Sequence, residues 1–164
     1  MSYVHTVMAS PLGALTLVAS AQGLSAVLWE DDDPLRVRLG ETREDAAHLV
    51  LAEAERQLSE YFAGRRRSFS LDLDFQGTPF QSRVWRALLT IPFGETRSYK
   101  QIAMQIGSPT AVRAVGAANG RNPISIIAPC HRVIGASGKL TGFAGGLAAK
   151  DFLLRLEGRR DLLG

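Results

Sequence analysis

The alternation of apolar and polar positions predicts short strands, then a helix, in the first half of the chain. Strands are expected over Tyr3–Met8, Ala14–Ala19 and Leu24–Trp29, because turn sequences such as Ser10-Pro11-Leu12-Gly13 separate them. From Glu44 to Phe62 the apolar residues recur at helical spacing, which predicts one amphipathic helix.

A second change of pattern predicts a domain boundary near Gln76-Gly77. Before it, apolar and polar residues alternate over 69–73, which predicts a half-buried strand. After it, Thr78 has the features of an N-cap, with Pro79 at the first helical position and Gln81 completing a capping box. This helix should run to about Thr90. We therefore expect two domains, 1–77 and 78–164.

Two further short helices are predicted, with a glycine-containing turn between them. They span Ser98 to Ile106 and Ala111 to about Gly120, the layout of a helix-turn-helix. Glycine inside a helix costs about 1 kcal/mol relative to alanine, so a glycine-rich face indicates close approach of another backbone, that of a packed helix or of DNA. One face of the second helix carries Arg113, Gly116, Ala117 and Gly120.

Charge is unevenly distributed between the two halves of the chain. The net charge is +3, but residues 79–164 hold 12 Lys or Arg against 4 Asp or Glu, whereas residues 1–78 hold 7 against 12. This asymmetry indicates a polyanionic partner for the C-terminal half. A chance imbalance between two solvated surfaces is the alternative.

The only cysteine lies in Pro129-Cys130-His131-Arg132-Val133, after an apolar run over 124–128 that predicts a short buried strand. Neighbouring cations lower the pKa of a thiol and favour the reactive thiolate. A buried cysteine acting as a small hydrophobic residue is the alternative. A single cysteine excludes an internal disulfide framework and favours a reducing compartment, so a cytoplasmic location is expected.

Glu157 is the candidate third member of a nucleophilic triad with Cys130 and His131. It closes the last predicted helix, where a carboxylate meets the negative end of the helix dipole. That position is unfavourable unless a cation holds the carboxylate, and a protonated His131 is one candidate. A surface pair with a neighbouring arginine is the other.

The sequence predicts neither a metal site nor a membrane segment. His5, His48 and His131 are scattered and Cys130 stands alone, so no structural zinc and no cofactor are expected. From residues 1–10 we expect no secretory signal, and no apolar stretch of the sequence reaches membrane-spanning length.

Together these motifs resemble the O6-alkylguanine-DNA alkyltransferases, the methylated-DNA–protein-cysteine methyltransferases. The resemblance is dense from about Thr78 to Gly158 and looser before it, where two short motifs still fit. The segments that carry it are Pro129–Ile134, Arg113–Gly116, Asn122-Pro123, Ile91–Tyr99, Leu156–Gly158, Ser10–Gly13 and Tyr61–Gly64.

The resemblance implies an α/β, ribonuclease-H-like N-terminal domain and a mainly α C-terminal domain with a helix-turn-helix. The second helix would enter the minor groove of double-stranded DNA. The protein would flip O6-alkylguanine, and O4-alkylthymine as well, out of the duplex and transfer the alkyl group irreversibly to Cys130. Each molecule would act once, as a monomer in solution, with cooperativity on DNA left open.

The resemblance also implies roles for individual residues at the reacting centre. His131 would deprotonate Cys130 through a water, and Glu157 would steady His131. Asn122 would support the turn before Cys130. Tyr99 would rotate the nucleotide and donate a proton or hydrogen bond to the departing base.

A second implied set of residues contacts the DNA. Arg113 would fill the gap left by the flipped base. Phe143 and Ala144 stand where some members have a Tyr-Ser pair, so only the backbone N–H of Ala144 could read the base there. The implied DNA contacts are Arg113, Tyr99, Ala114, Gly116, Ala117, Asn119, Gly120 and Ala144.

Three other classes of protein remain open on the sequence alone. A non-catalytic sensor of alkylated bases would bind the same DNA, but such proteins replace the cysteine that this chain keeps. A helix-turn-helix regulator would explain the basic half, although a Gly-Ala-Gly face is a poor reader of the major groove. A thiol hydrolase or redox sensor would explain Cys130 and His131 but not the charge asymmetry.

Overall fold

The computed structural model describes residues 2–158 and divides them into two compact units, with the division between Gln76 and Gly77. The first unit is a four-stranded sheet with helix α1 (Leu49–Phe62) packed against it. The first three strands form an antiparallel meander and the fourth pairs in parallel with the first. The strands are β1 (Tyr3–Met8), β2 (Leu15–Ser20), β3 (Gly23–Leu28) and β4 (Thr42–Glu44). Their spatial order in the sheet is β3-β2-β1-β4.

Two predictions for this unit were wrong in detail. The helix predicted from Glu44 begins only at Leu49, because the backbone over 42–44 is extended alongside the first residues of β1. The strand predicted over 69–73 is reduced to an isolated bridge between Leu73 and Leu24. In both places pairing with a distant segment overrode the local pattern.

The second unit is mainly helical. A two-residue parallel pairing joins its only assigned strands within the described range, β5 (Arg97–Ser98) and β6 (Val133–Ile134). Its helices are α2 (Pro79–Leu88), α3 (Tyr99–Gln105), α4 (Val112–Gly120) and α5 (Leu147–Leu156).

Helix α2 is the support on which the helix-turn-helix rests. It packs against both α3 and α4, and the indole Nε1 of Trp85 donates to the carbonyl of Ala118 at 2.8 Å. Gly77 lies against the Trp85 ring so closely that an added Cβ would come within 2.5 Å of it. Val115, Ala118 and Asn119 are the buried residues of α4, and its opposite face is exposed.

The β5–β6 pairing brings together two segments that are far apart in sequence. Arg97 pairs with Val133 and Ser98 with Ile134. Because α3 starts directly after β5, and Cys130 lies just before β6, the pairing sets Tyr99 beside the segment that contains the cysteine.

The residues before Cys130 form a buried turn, and the strand predicted over 124–128 was wrong. The amide of Ala128 donates to the carbonyl of Ile124 at 2.9 Å. The side chain of Asn122 closes the turn, because its Nδ2 donates to Ala128 at 2.8 Å and its Oδ1 accepts from Ile124 at 3.1 Å. Ile126 has φ +74°, unusual for a β-branched residue. The apolar run over 124–128 therefore predicted correctly that these residues are buried, but not which backbone conformation they adopt.

We expect Thr78→Ala to lower the free energy of unfolding by about 1 kcal/mol. The structure forms the predicted capping box, in which the Thr78 hydroxyl accepts from the amide of Gln81 and the Gln81 side chain accepts from the amide of Thr78. Denaturant titration measures the change. Thr110→Ala, at an exposed turn position, is the control, and an equal loss in both variants would contradict the capping role.

Candidate active site

Cys130 is 3% exposed and begins a 3₁₀ turn over Cys130–Arg132. Its amide donates to Ala128 at 2.8 Å, and the amide of Arg132 donates to Pro129 at 2.9 Å. The backbone therefore turns at the cysteine, where an extended chain would send the side chains of Cys130 and His131 to opposite sides.

A buried cluster of charge lies directly beside the cysteine. The Nε2 of His131 lies 2.8 Å from Oε2 of Glu157, and both side chains are fully buried. Arg132 grips the same carboxylate, with Nε 2.7 Å from Oε1 and Nη2 2.9 Å from Oε2. A fourth bond runs from Nη1 of Arg132 to the carbonyl of Ile91 at 2.6 Å. The structure thus brings His131 and Glu157 together, and it removes the alternative of a surface pair for Glu157.

Burial and pairing set opposite protonation states for the two partners. Burial raises the pKa of Glu157, but hydrogen bonds from His131 and Arg132 outweigh it and hold the pKa well below its usual value. Burial lowers the pKa of His131 and prevails over the opposing pull of Glu157, so the imidazole is neutral at pH 7. Because a carboxylate can only accept, Nε2 carries the proton. Nδ1 then has a free lone pair, with no hydrogen-bond partner within residues 2–158.

Lys150 is a second buried cation at the site, and sequence reasoning missed it. Its Nζ donates to the carbonyl of Val133 at 2.7 Å and to that of Thr141 at 3.3 Å. Burial lowers the pKa of Lys150 to about 8, although the charge of Cys130 acts to raise it. A signal was available in the sequence, because Lys150, Leu153, Leu154 and Glu157 have the spacing of one helical face.

Two other predicted site residues, Tyr99 and Asn122, contact neighbouring segments of the site. Tyr99 begins α3, and its hydroxyl lies 2.6 Å from Oγ1 of Thr141. Asn122 closes the turn that leads to Cys130, as described above.

Asn119 does not lie on the exposed face of α4, where a DNA contact was expected. It is 4% exposed, and its Nδ2 lies 3.5 Å from the carbonyl of Cys130. The helix places residues 115, 118 and 119 toward the interior, since they are separated by three and four positions. Asn119 therefore contacts the segment that contains the cysteine, and we do not retain it as a DNA contact.

The small residues of α4 form an open surface. Arg113, Ala114, Ala117 and Gly120 are exposed. An added Cβ at Gly120 would meet nothing within 4 Å, and one at Gly116 would only reach the Tyr99 ring at 3.9 Å. Helix packing therefore does not explain the two glycines. Ala144 is half-buried in the loop before α5.

Comparison with known proteins places this geometry in a family. The DNA binding domain of 6-O-methylguanine DNA methyltransferase matches residues 79–159, and the ribonuclease-like domain of the same protein matches residues 3–75. The chain belongs to this family. The match confirms the predicted fold class, a ribonuclease-like domain followed by a mainly helical DNA-binding domain.

Curated relatives in the 6-O-methylguanine DNA methyltransferase family are similar over nearly their whole length. A methylated-DNA–protein-cysteine methyltransferase of Mycolicibacterium paratuberculosis is 55% identical over 150 residues, covering 92% of this chain and 89% of the relative. The constitutive one of Bacillus subtilis is 48% identical, covering 96% of each. A crystal structure of Mycobacterium tuberculosis OGT in complex with DNA superposes with a TM-score of 0.86 at 50% identity, covering 96% of this chain and 92% of that one.

Residues 2–158 contain neither a candidate metal-binding group nor a candidate membrane-spanning helix. No group of three or more His, Cys, Asp or Glu side chains there is arranged to hold a metal ion. None of the helices in that range has the length and apolar character needed to cross a membrane.

We expect acid to weaken the fold through His131. An unfolded histidine titrates near pH 6.5, and because the folded pKa is lower, the unfolded state binds more protons as the pH falls below that value. The stabilisation is therefore complete above about pH 6.5 and decreases below it, by up to about 1.4 kcal/mol per pH unit. Denaturant titrations at about pH 7.5 and about pH 5.5 measure it.

The matched variant is His131→Gln, which keeps an N–H donor for Glu157 but does not titrate. Above about pH 5.5 Glu157 is ionised in both the folded and the unfolded state, so it adds nothing to the difference. The pH dependence should be smaller in His131→Gln than in the parent. Equal pH dependence in the two proteins would show that His131 is not the group responsible.

Proposed function

We propose that this protein repairs DNA by direct reversal, moving the alkyl group of O6-alkylguanine from the base to Sγ of Cys130. The observation that carries the proposal is the buried cysteine next to the neutral His131, whose Nε2 is bound by Glu157, which in turn is paired with Arg132. The curated relatives named methylated-DNA–protein-cysteine methyltransferases support this substrate and this acceptor.

The first chemical step is removal of the thiol proton. Since Nε2 of His131 faces Glu157, Nδ1 is the free basic atom of the ring and takes the proton of Cys130 through a bridging water. The Glu157 carboxylate stabilises the imidazolium that forms. The ammonium of Lys150 stabilises the thiolate, because their charges attract each other.

The second step is a single displacement at the alkyl carbon. The thiolate forms a new S–C bond while the bond from that carbon to O6 breaks, and the electron pair goes to the guanine. The departing base takes up a proton or hydrogen bond, for which Tyr99 is the donor. The thioether product is not hydrolysed, so each molecule acts once.

The exposed face of α4 is the surface that we propose for DNA binding. We propose that Arg113, Ala114, Gly116, Ala117 and Gly120 lie in the minor groove, where small side chains let the helix approach the backbone closely. Arg113 is long enough to fill the gap left by an extruded base. Extrusion is required because Cys130 is 3% exposed and the target atom lies within a stacked duplex.

The range of alkylated bases that the site accepts and the cellular location of the protein follow from the same residues. The flipped base would lie against Tyr99 and the backbone N–H of Ala144, and O4-alkylthymine offers the same kind of alkyl ether. We propose that the protein acts as a monomer in the cytoplasm, where reducing conditions keep Cys130 a free thiol.

We expect the protein to gain the mass of one methyl group when it is incubated with duplex DNA containing a single O6-methylguanine. A Cys130→Ser variant should gain none, because a serine hydroxyl is not ionised at neutral pH. Intact-mass spectrometry measures both. Bound DNA without a mass gain would overturn the proposal in favour of a non-catalytic sensor or regulator, and a mass gain in Cys130→Ser would place the acceptor elsewhere.

We expect Ala117→Leu to weaken binding to duplex DNA by on the order of tenfold, a loss of about 1.4 kcal/mol. Ala117 is exposed and leucine is a good helix former, so the fold should keep its stability while the bulky side chain blocks the groove. Ala148→Leu, exposed on α5, is the control and should bind as the parent does. Undiminished binding by Ala117→Leu would exclude this face of α4 as the DNA contact.

A further inference from the structure

Thr141 connects two functional groups of the site that do not touch each other directly in the hydrogen-bond network. Its Oγ1 lies 2.6 Å from the hydroxyl of Tyr99. On its other side, Nζ of Lys150 donates to its carbonyl at 3.3 Å and reaches its Oγ1 at 3.5 Å. The loop from Gly135 to Gly146 contains five glycines, and Thr141 is the point at which a buried cation fixes it.

The chemistry of the three groups gives this chain of contacts a direction. An ammonium can only donate hydrogen bonds, whereas a hydroxyl can both donate and accept. When Oγ1 of Thr141 accepts from Lys150, the Thr141 proton is free to point to the oxygen of Tyr99. Tyr99 then accepts from Thr141, and its own proton is directed away from Thr141.

We infer that Thr141 is a positioning residue for alkyl transfer, which turns the hydroxyl proton of Tyr99 toward the departing base. The inference rests on the proposed function, in which negative charge develops on the guanine as its bond to the alkyl carbon breaks. A donor already aimed at that charge stabilises the transition state without reorganising. In this arrangement Lys150 fixes the place of Thr141, and its ammonium occupies one lone pair of Oγ1 while the Thr141 proton goes to Tyr99.

The opposite direction has a different consequence. If Tyr99 donated to Thr141, its proton would be occupied in the free protein and would have to be released before it could serve the base. Removing the Thr141 hydroxyl would then leave the transfer rate unchanged or raise it. Loss of the Thr141 hydroxyl therefore slows transfer in the first arrangement, but leaves the rate unchanged or raises it in the second.

A double-mutant cycle between Thr141 and Tyr99 tests the inference. The variants are Thr141→Val, which keeps the shape of the side chain without its hydroxyl, Thr141→Ser, which keeps the hydroxyl, Tyr99→Phe, and the Thr141→Val/Tyr99→Phe double variant. The rate of methyl transfer is measured in single turnover, with protein in excess over duplex DNA containing one O6-methylguanine. Affinity for the same DNA is measured with each variant placed in a Cys130→Ser background.

We expect Thr141→Val to slow transfer about tenfold, the scale of one hydrogen bond, with unchanged DNA affinity. Thr141→Ser should restore most of the rate. The double variant should be no slower than Tyr99→Phe alone, because Thr141 acts through the hydroxyl that Tyr99→Phe has removed. A structural role in the loop would instead slow transfer in both backgrounds.

Each other outcome overturns the inference. A Thr141→Val variant as fast as the parent, a Thr141→Ser variant as slow as Thr141→Val, or additive losses in the double variant would each show that Thr141 does not position Tyr99. If the parent itself transfers no methyl group, the proposed function fails. If the parent transfers and the cycle is additive, only this inference fails.

Discussion

The buried contact of Glu157 with Arg132 and His131 is the interaction on which the second unit depends. Removing charges from water is costly, and this cluster repays the cost with nearly complete hydrogen bonding. The carboxylate accepts from both side chains and, at 3.4 Å, from the amide of Gly94. Through Arg132 and its bond to Ile91 it fixes the end of α5 to the turn that holds Cys130 and to the segment after α2. Loss of Arg132 or of Glu157 would leave an uncompensated charge in the interior.

The same contact also determines what kind of base His131 can be. A histidine paired with an isolated carboxylate tends to become protonated, which would leave it unable to accept a proton. Arg132 offsets the charge of Glu157. Burial is the main cause of the lowered pKa of His131, and the charge of Arg132 lowers it further. The arginine therefore contributes to stability and to proton transfer at once, and either role by itself would be a reason to keep it buried.

Local signals in the sequence were sufficient for elements whose stability is local. The capping box of α2 depends on residues three positions apart, so the start of this helix was predicted correctly. A turn sequence separates β1 from β2, so the bounds of both strands were predicted to within about a residue. The strand at 42–44 and the turn at 124–128 depend on partners that periodicity does not reveal. In the turn, the side chain of Asn122 supplies the hydrogen bonds that a neighbouring strand would otherwise supply.

The sequence was sufficient to predict the residues of the site that lie in the short motif around Cys130, and Glu157 beyond it. Cys130, His131 and Glu157 could be linked because a carboxylate at a helix C-terminus needs a cation. Asn119 was assigned to the wrong side because its orientation depends on how α4 packs on α2, and a shift of one position along a helix turns a side chain by roughly a quarter of a circle. Lys150 was missed because a lysine in an apolar stripe is ordinarily assumed to reach solvent.

The near-complete burial of Cys130 has a consequence for how such a molecule survives until it is needed. A cysteine that can be used once is lost when it is over-oxidised to a sulfinic acid or alkylated by a stray electrophile. The burial of Cys130, which is 3% exposed, keeps such reagents away, while a nucleotide rotated out of the duplex brings its alkyl carbon directly to the sulfur. Selectivity for damaged DNA then begins with access to the sulfur, before any base is recognised. Burial in the protein interior preserves the cysteine until an extruded nucleotide reaches it.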